Sequence, residues 1–441
     1  MNSTIRRIMS IVAFIAFLAI APVIILYAIG YRSVTTTIPQ PVGVVVVNAL
    51  PKKSTVSVNG TNYGTTPRSI PNLLPGMVHI EITKDGYQSW QKDLEIKAMQ
   101  ATDARAIQLI PTTPDTDTIA PDVHLFKVSN DGTTVAIATT KNEIFITDQN
   151  GKLKTNSIAF KSAITKIEWS SDSTHILVET KSNGFTVLEF SNQAISKLPF
   201  TLPATDTHVA WDPANSTHLI ALTKNRELTR YDTTTSENKM EQENINEYTF
   251  IGNQIVFQKT DNTLVRKNSA IELRGRATLL ASSGAEDVIA LLDSGELVLI
   301  DKNNTVTSIA SSAITASFSP DGSFVLFQPS NNELDIYNIN NNHVRAIPLH
   351  ESHVLTRLIQ PITNTLWLSD NAHIVYQTDN KLIFSEIDPR DHVIINTIAP
   401  APQQAQSLVW VSKDMTSLLR LSPQKTSADL LKTWLVTKDD R

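Results

Sequence analysis

Phe318-Ser-Pro-Asp-Gly-Ser-Phe-Val-Leu-Phe327, with Leu334-Asp-Ile-Tyr337 soon after, is the stretch whose reading decides the fold. Pro320, Asp321 and Gly322 are turn residues: Pro presets φ, Asp bonds nearby backbone, and Gly tolerates positive φ. The run that follows is apolar at consecutive positions, where a strand covered on one side would alternate. The same unit recurs along the chain. Its other turns are Asn130-Asp131-Gly132, Ser171-Asp172, Asp212-Pro213, Gly252-Asn253, Glu286-Asp287, Asp370-Asn371 and Lys413-Asp414, spaced 34 to 49 residues apart. That is the range of propeller blades. A lone four-stranded sheet cannot bury two apolar faces, but sheets stacked around an axis can. Residues 123–441 are therefore expected to form a seven- or eight-bladed β-propeller. Eight units are countable; seven blades stay open because Leu430, Leu431, Trp434 and Leu435 also fit a helix over Ala428–Leu435.

The signature at Phe318–Gly322 resembles that of WD-repeat and periplasmic TolB-type propellers, with weaker copies at Trp169-Ser-Ser-Asp172 and Trp211-Asp212-Pro213. The Trp211-Asp212 pair precedes a strand, whereas the WD family's pair closes one, so the period carries the resemblance. Asp131, Gly132, Asp172, Asp212, Pro320, Asp321, Gly322 and Asp370 are its repeat-turn residues.

Upstream, residues 42–110 read as short strands separated by tight turns. Val44 to Val47 is a β-branched run leading to Pro51, and Asn59-Gly60 is a strong hairpin signal. Gly64-Thr65-Thr66-Pro67, Pro75-Gly76 and Gly86-Tyr87 follow, with Trp90 close by. Val78, Ile80 and Ile82 alternate with His79, Glu81 and Thr83, as in a strand with one buried face. The order of these pieces resembles the PEGA domain, although the namesake tetrapeptide is reduced to Pro75-Gly76. The resemblance implies a small β-sandwich, found mostly outside the membrane in prokaryotic surface proteins, that binds or spaces and does not catalyse. Tyr87 and Trp90 read as turn packing before they read as a ligand platform. Residues 111–122, rich in Pro, Thr and Asp, read as a linker. Asp115 and Asp117 lack the Gly and Glu of a calcium loop.

Ile8–Ile29 carries no charge and is interrupted only by Ser10 and Pro22. It is long enough to cross a hydrocarbon core as a helix of roughly 33 Å. Arg6 and Arg7 precede it and Arg32 follows, a bias that places residues 1–7 in the cytoplasm and everything after residues 8–30 outside. A cleaved signal peptide ending at Ala19-Ile20-Ala21 is the competing reading, which Pro22 and the continued apolar run disfavour. Residues 31–41 read as an extended stalk.

The chain has 441 residues, 41% hydrophobic and 18% charged, with a net charge of −5 and no Cys. Disulfides, thiolate metal sites and cysteine nucleophiles are excluded, and scattered basic residues give no nucleic-acid face. No cofactor or metal site is expected. His350-Glu-Ser-His353 lacks zinc-protease spacing and is expected in an inter-blade loop. Glu386, Asp388, Asp391 and His392 read as an acidic turn, and Ser282-Ser283-Gly284 lacks the glycines of a nucleophile elbow. The resulting expectation is a mostly β, non-enzymatic cell-envelope protein. Its bilayer partner is met by the helix, and a protein or envelope polymer by propeller loops such as 182–184, 260–262, 330–332 and 379–381. The alternative is a propeller hydrolase acting on surface carbohydrate or peptide.

Overall fold

The computed structural model describes residues 3–33, 39–182, 184–191, 194–202, 206–340, 347–401, 409–424 and 427–440. The chain divides into two compact units, the first chiefly residues 1–113 and the second beginning at Pro114.

In the first unit, a helix runs over Ser3–Ala28 and continues through Pro22. Its apolar stretch Arg6–Ala28 is long enough to span a bilayer and buries none of its side chains against protein. Gly30, at φ 98°, then reverses the chain: its carbonyl accepts the Val42 N–H at 3.0 Å, and Tyr31–Arg32 pair antiparallel with Gln40–Pro41. The extended stalk expected here is thus corrected. Its two ends meet in a short ladder, and residues 34–38 lie outside those described. Arg32 stacks its guanidinium 3.5 Å over the Tyr27 ring.

Two sheets follow. Gly43–Leu50 pairs with Arg68–Leu73 and, in parallel, with Ala101–Gln108. Thr61–Thr65, Thr55–Val58, Gly76–Thr83 and Trp90–Ile96 form the second sheet. Val45, Val47, Val56, Ile80, Ile82, Leu94 and Ile96 are buried while their neighbours along each strand are not, the period-two pattern of a β-sandwich.

In the second unit, short turns force antiparallel pairing of sequence neighbours. Six sheets of four strands follow one another, from Ile164–Trp169 to Ile395–Pro400. A further sheet has seven strands, because Thr116–Val128 belongs to two blades at once. Its second half opens blade 1 against Thr134–Thr139; its first half completes blade 8 against Ala428–Trp434. Among the described residues this makes eight four-stranded blades, numbered here in chain order. The first strands of blades 1 and 2, of blades 4 and 5, and of blades 5 and 6 contact each other.

One open alternative closes and one expectation is corrected. Ala428–Trp434 is a strand, not a helix: Ala428 and Leu430 pack against blade 1, and buried Lys432 and Thr433 interrupt strict alternation. The expected linker 111–122 is strand from Thr116 onward, bulged between Thr118 and Ala120 and again before Val123, which accommodates Pro121.

Each blade buries both faces against its neighbours. Leu125, Ala136 and Ile144 meet Ile167, Trp169 and Ile176 between blades 1 and 2. Val123, Phe126 and Ile137 meet Leu419, Leu421 and Leu430 between blades 8 and 1. Leu430→Ala should cost about 2–4 kcal/mol, since a fully buried seam residue leaves a cavity. Met240→Ala, on an exposed outer strand, should change stability by under about 0.5 kcal/mol. Denaturant unfolding followed by tryptophan fluorescence compares the two.

Candidate interaction surface

Because strand direction alternates within a blade, first-to-second turns lie at one end of the propeller. Second-to-third turns and the connections between blades lie at the other. The two ends use their polar residues differently.

At the first end, one device repeats. Ser129, Ser170 and Ser319 donate to Asp131, Asp172 and Asp321 two residues on, at 2.5, 2.6 and 2.7 Å. The same hydroxyls accept from Thr134, His175 and Phe324 N–H at 2.9–3.0 Å. Each Asp also accepts a backbone N–H two residues further on, as do Asp212, Asp370 and Asp414. Partial burial pushes the Asp131 and Asp414 carboxyls up, but hydroxyl and backbone donors outweigh it and hold both below the ordinary range. Neighbouring blades are pinned here as well: the Asn130 amide donates to Ser170 O at 2.8 Å and Asp321 N–H to Asn371 Oδ1 at 2.9 Å. Gly132 and Gly322 take φ of 79° and 73°, and a Cβ on Gly322 would meet Ser283 Cβ at 2.9 Å. The repeat-turn residues are self-capping structure. Ser283 serves as cap in its own turn, accepting Ala285 and Asp287 N–H.

At the second end lie the loops expected as binding elements: 260–262, 330–332, 379–381 and 182–184, of which Asn183 is outside the described residues. The connections between blades are positioned here by buried glutamines at the ends of second strands. Gln258 donates to Gly275 O at 2.8 Å and accepts Ala277 N–H at 2.7 Å. Gln328 donates to Asn331 O at 3.1 Å and Ile362 O at 3.0 Å, while its own backbone carbonyl accepts Ile314 N–H at 2.8 Å. The signal was present as an aromatic–Gln pair followed closely by Asn (Phe257-Gln258, Phe327-Gln328, Tyr376-Gln377), and the sequence reading passed over it. Connection 358–363 is further held by Leu358 N–H to Asn332 O, Ile362 N–H to Asn331 O, and the Asn332 amide to Leu358 O, all at 2.7–2.8 Å. On this fixed loop Ile359 is fully exposed, and Ile314, one connection earlier, is 51% exposed.

The other expected positions separate. Asn59 and Gly60 take φ of 48° and 77°, the paired positive values of a type I′ turn. Gly64, Gly76 and Gly86 are also in positive φ. The peptide bonds before Pro51 and Pro67 are cis, and Thr66 accepts Ser54 N–H at 3.2 Å. Pro75 is exposed at its turn, while Tyr87 and Trp90 are buried and offer no platform. His350 and His353 are not between blades; they sit where the third strand of blade 6 passes to its fourth. Glu386 is buried and accepts Ile394 N–H at 3.0 Å, the work of a turn carboxylate. Among the described residues, no three His, Asp or Glu side chains gather as a metal site would require.

Residues 42–108 match the PEGA domain family. Among solved structures, the chain is similar to the C-terminal WD40 domain of Sif2, with 12% identity and a TM-score of 0.52 over 73% of this chain and 98% of that one. Sqt1 from Saccharomyces cerevisiae is similar at 11% identity and a TM-score of 0.50, over 73% and 98%. At such identities the likeness is one of fold. No curated protein matches in sequence. The chain thus carries a PEGA domain followed by a β-propeller of WD40-like fold.

Removing one self-capping hydroxyl should be felt. Ser319→Ala leaves the buried Phe324 N–H without its acceptor and should cost about 1–3 kcal/mol, read from the denaturation midpoint. A second test uses pH. Asp335, in the third strand of blade 6, has a buried Oδ1 with no hydrogen bond among the described residues; burial first, then Glu333, push its pKa up to about 6. A carboxyl whose folded pKa lies above its unfolded value binds extra protons when folded, so its share of stability falls as pH rises from about 4 to 6. Asp335→Asn should therefore raise Tm at pH 7.5 and leave it unchanged near pH 4. Solvent screening limits the gain to about 1 kcal/mol. An equal shift at both pH values would contradict the assignment.

Proposed function

We propose that the chain is a membrane-tethered, extracytoplasmic scaffold that engages a protein partner at the second-to-third-turn end of its propeller. The observation that carries this reading is connection 358–363. It is locked by hydrogen bonds from Gln328, Asn332 and its own backbone, yet it holds Ile359 fully in solvent. An apolar side chain on a preorganised loop binds without the entropic cost of ordering, the usual property of an interface anchor. At the opposite end, six first-to-second turns hold their Asp carboxylates on their own backbone N–H groups. Tethering is supported by the helix Arg6–Ala28, apolar and unburied, and by its charge bias, with Arg6 and Arg7 before it and Arg32 after.

A photo-crosslinking residue at position 359 or 314 should give a protein adduct of one defined mass in intact cells. The same residue at Ser171 or Lys413, exposed at the opposite end, should give none; adducts equal at both ends would overturn the surface assignment. The Cys-free chain permits a topology test by single engineered cysteines. Ser171→Cys should react with a membrane-impermeant maleimide on intact cells, and Ser3→Cys only after lysis. The reverse pattern would overturn the orientation.

A further inference from the structure

A cavity of about 240 Å³ opens between blades 7 and 8 and reaches the first strand of blade 1. Asn364, Leu366, Val375, Gln377 and Leu382 line it from blade 7. The pairs Asn364–Gln377, Leu366–Val375 and Gln377–Leu382 lie directly opposite in register, so these five side chains share one face of the sheet. Val409 enters from blade 8. Lys127, itself exposed, borders the cavity from blade 1, and its backbone carbonyl accepts Trp169 Nε1–H at 3.0 Å.

The lining has a definite chemistry. Leu366, Val375, Leu382 and Val409 form an aliphatic floor, Asn364 and Gln377 add amides, and Lys127 brings the positive charge. The Lys127 ammonium has no carboxylate partner among the described residues, and the Asn364 side chain makes no hydrogen bond among them. The volume is below the roughly 300–1,000 Å³ of pockets for drug-sized ligands, so the occupant is smaller than those.

We infer that this cavity binds a monocarboxylate with a short aliphatic body. The carboxylate sits against Lys127 and the Asn364 amide, and the aliphatic part lies on the Leu366–Leu382 floor. Such a group is supplied by a free organic acid or by the C-terminal residue of a peptide. The inference does not depend on the scaffold reading, since a free acid satisfies it without a protein partner.

The test titrates the full chain in detergent with 4-methylpentanoate, 4-methylpentanamide, and a pentapeptide ending in Leu with either a free or an amidated C-terminus. Binding is read by calorimetry. The acid should bind at least about tenfold more tightly than the amide. Lys127→Gln should erase that preference, and Lys127→Arg should restore much of it. Leu366→Trp, which fills the cavity from its floor, should abolish binding while Lys127 remains; circular dichroism melting checks that each variant is folded. Preference for the free-terminus peptide identifies a chain end as the source, and binding of the small acid alone identifies a free metabolite. Equal affinity for acid and amide, no binding by either, or a preference that survives Lys127→Gln would overturn the inference. Loss of acid binding with position 359 crosslinking intact would separate this site from the proposed interaction surface.

Discussion

Pairing between Thr116–Val128 and Ala428–Trp434 is the contact on which the ring depends. Each blade is apolar on both faces and is stable only between neighbours, so an open ring would expose two faces at once. One strand shared between blades 8 and 1 ties the ends with backbone hydrogen bonds, each worth only about 1 kcal/mol net. The larger share comes from the seam this pairing aligns, where Ala120, Val123, Phe126 and Val128 pack on Leu419, Leu421 and Leu430. Hydrogen bonds set the register and burial supplies most of the energy.

Given a closed ring, its two ends diverge in what their polar residues do. The Ser–Asp caps turn the first hairpins of blades 1, 2 and 6 inward on themselves, and those of blades 1 and 6 are stitched to the next blade. The buried glutamines do something different. Gln258 and Gln328 reach past their own blades to connections that carry the chain onward, and so transfer the rigidity of the sheet to loops. Connection 358–363 shows the result: fixed backbone, free side chain.

Local features were legible in the sequence and distant ones were not. Turn chemistry at Asp321-Gly322 and Asn59-Gly60 and the apolar runs after each turn depend on residues a few positions apart, so they could be read directly. Ring closure joins Thr116 to Thr433, 317 positions away, and no local pattern records such a pair. Ala428–Leu435 looked helical because a strand with both faces covered loses its alternation, leaving Leu430, Leu431, Trp434 and Leu435 to imitate a helical face. The glutamines were missed for a simpler reason. A polar side chain at a strand end reads as surface unless its acceptors, here carbonyls in the connection to the next blade, are known.

The composition of the closing strand has a further meaning. Synthesis makes Thr116–Val128 long before Ala428–Trp434, so its first half must wait as a bare edge while seven blades are added. An apolar edge of that kind would recruit other chains. Thr116, Asp117 and Thr118 are exposed, and Pro121 denies one donor to any passing strand. The polarity that made this segment look like a linker is what keeps an unfinished ring from pairing with another copy before its own last strand arrives.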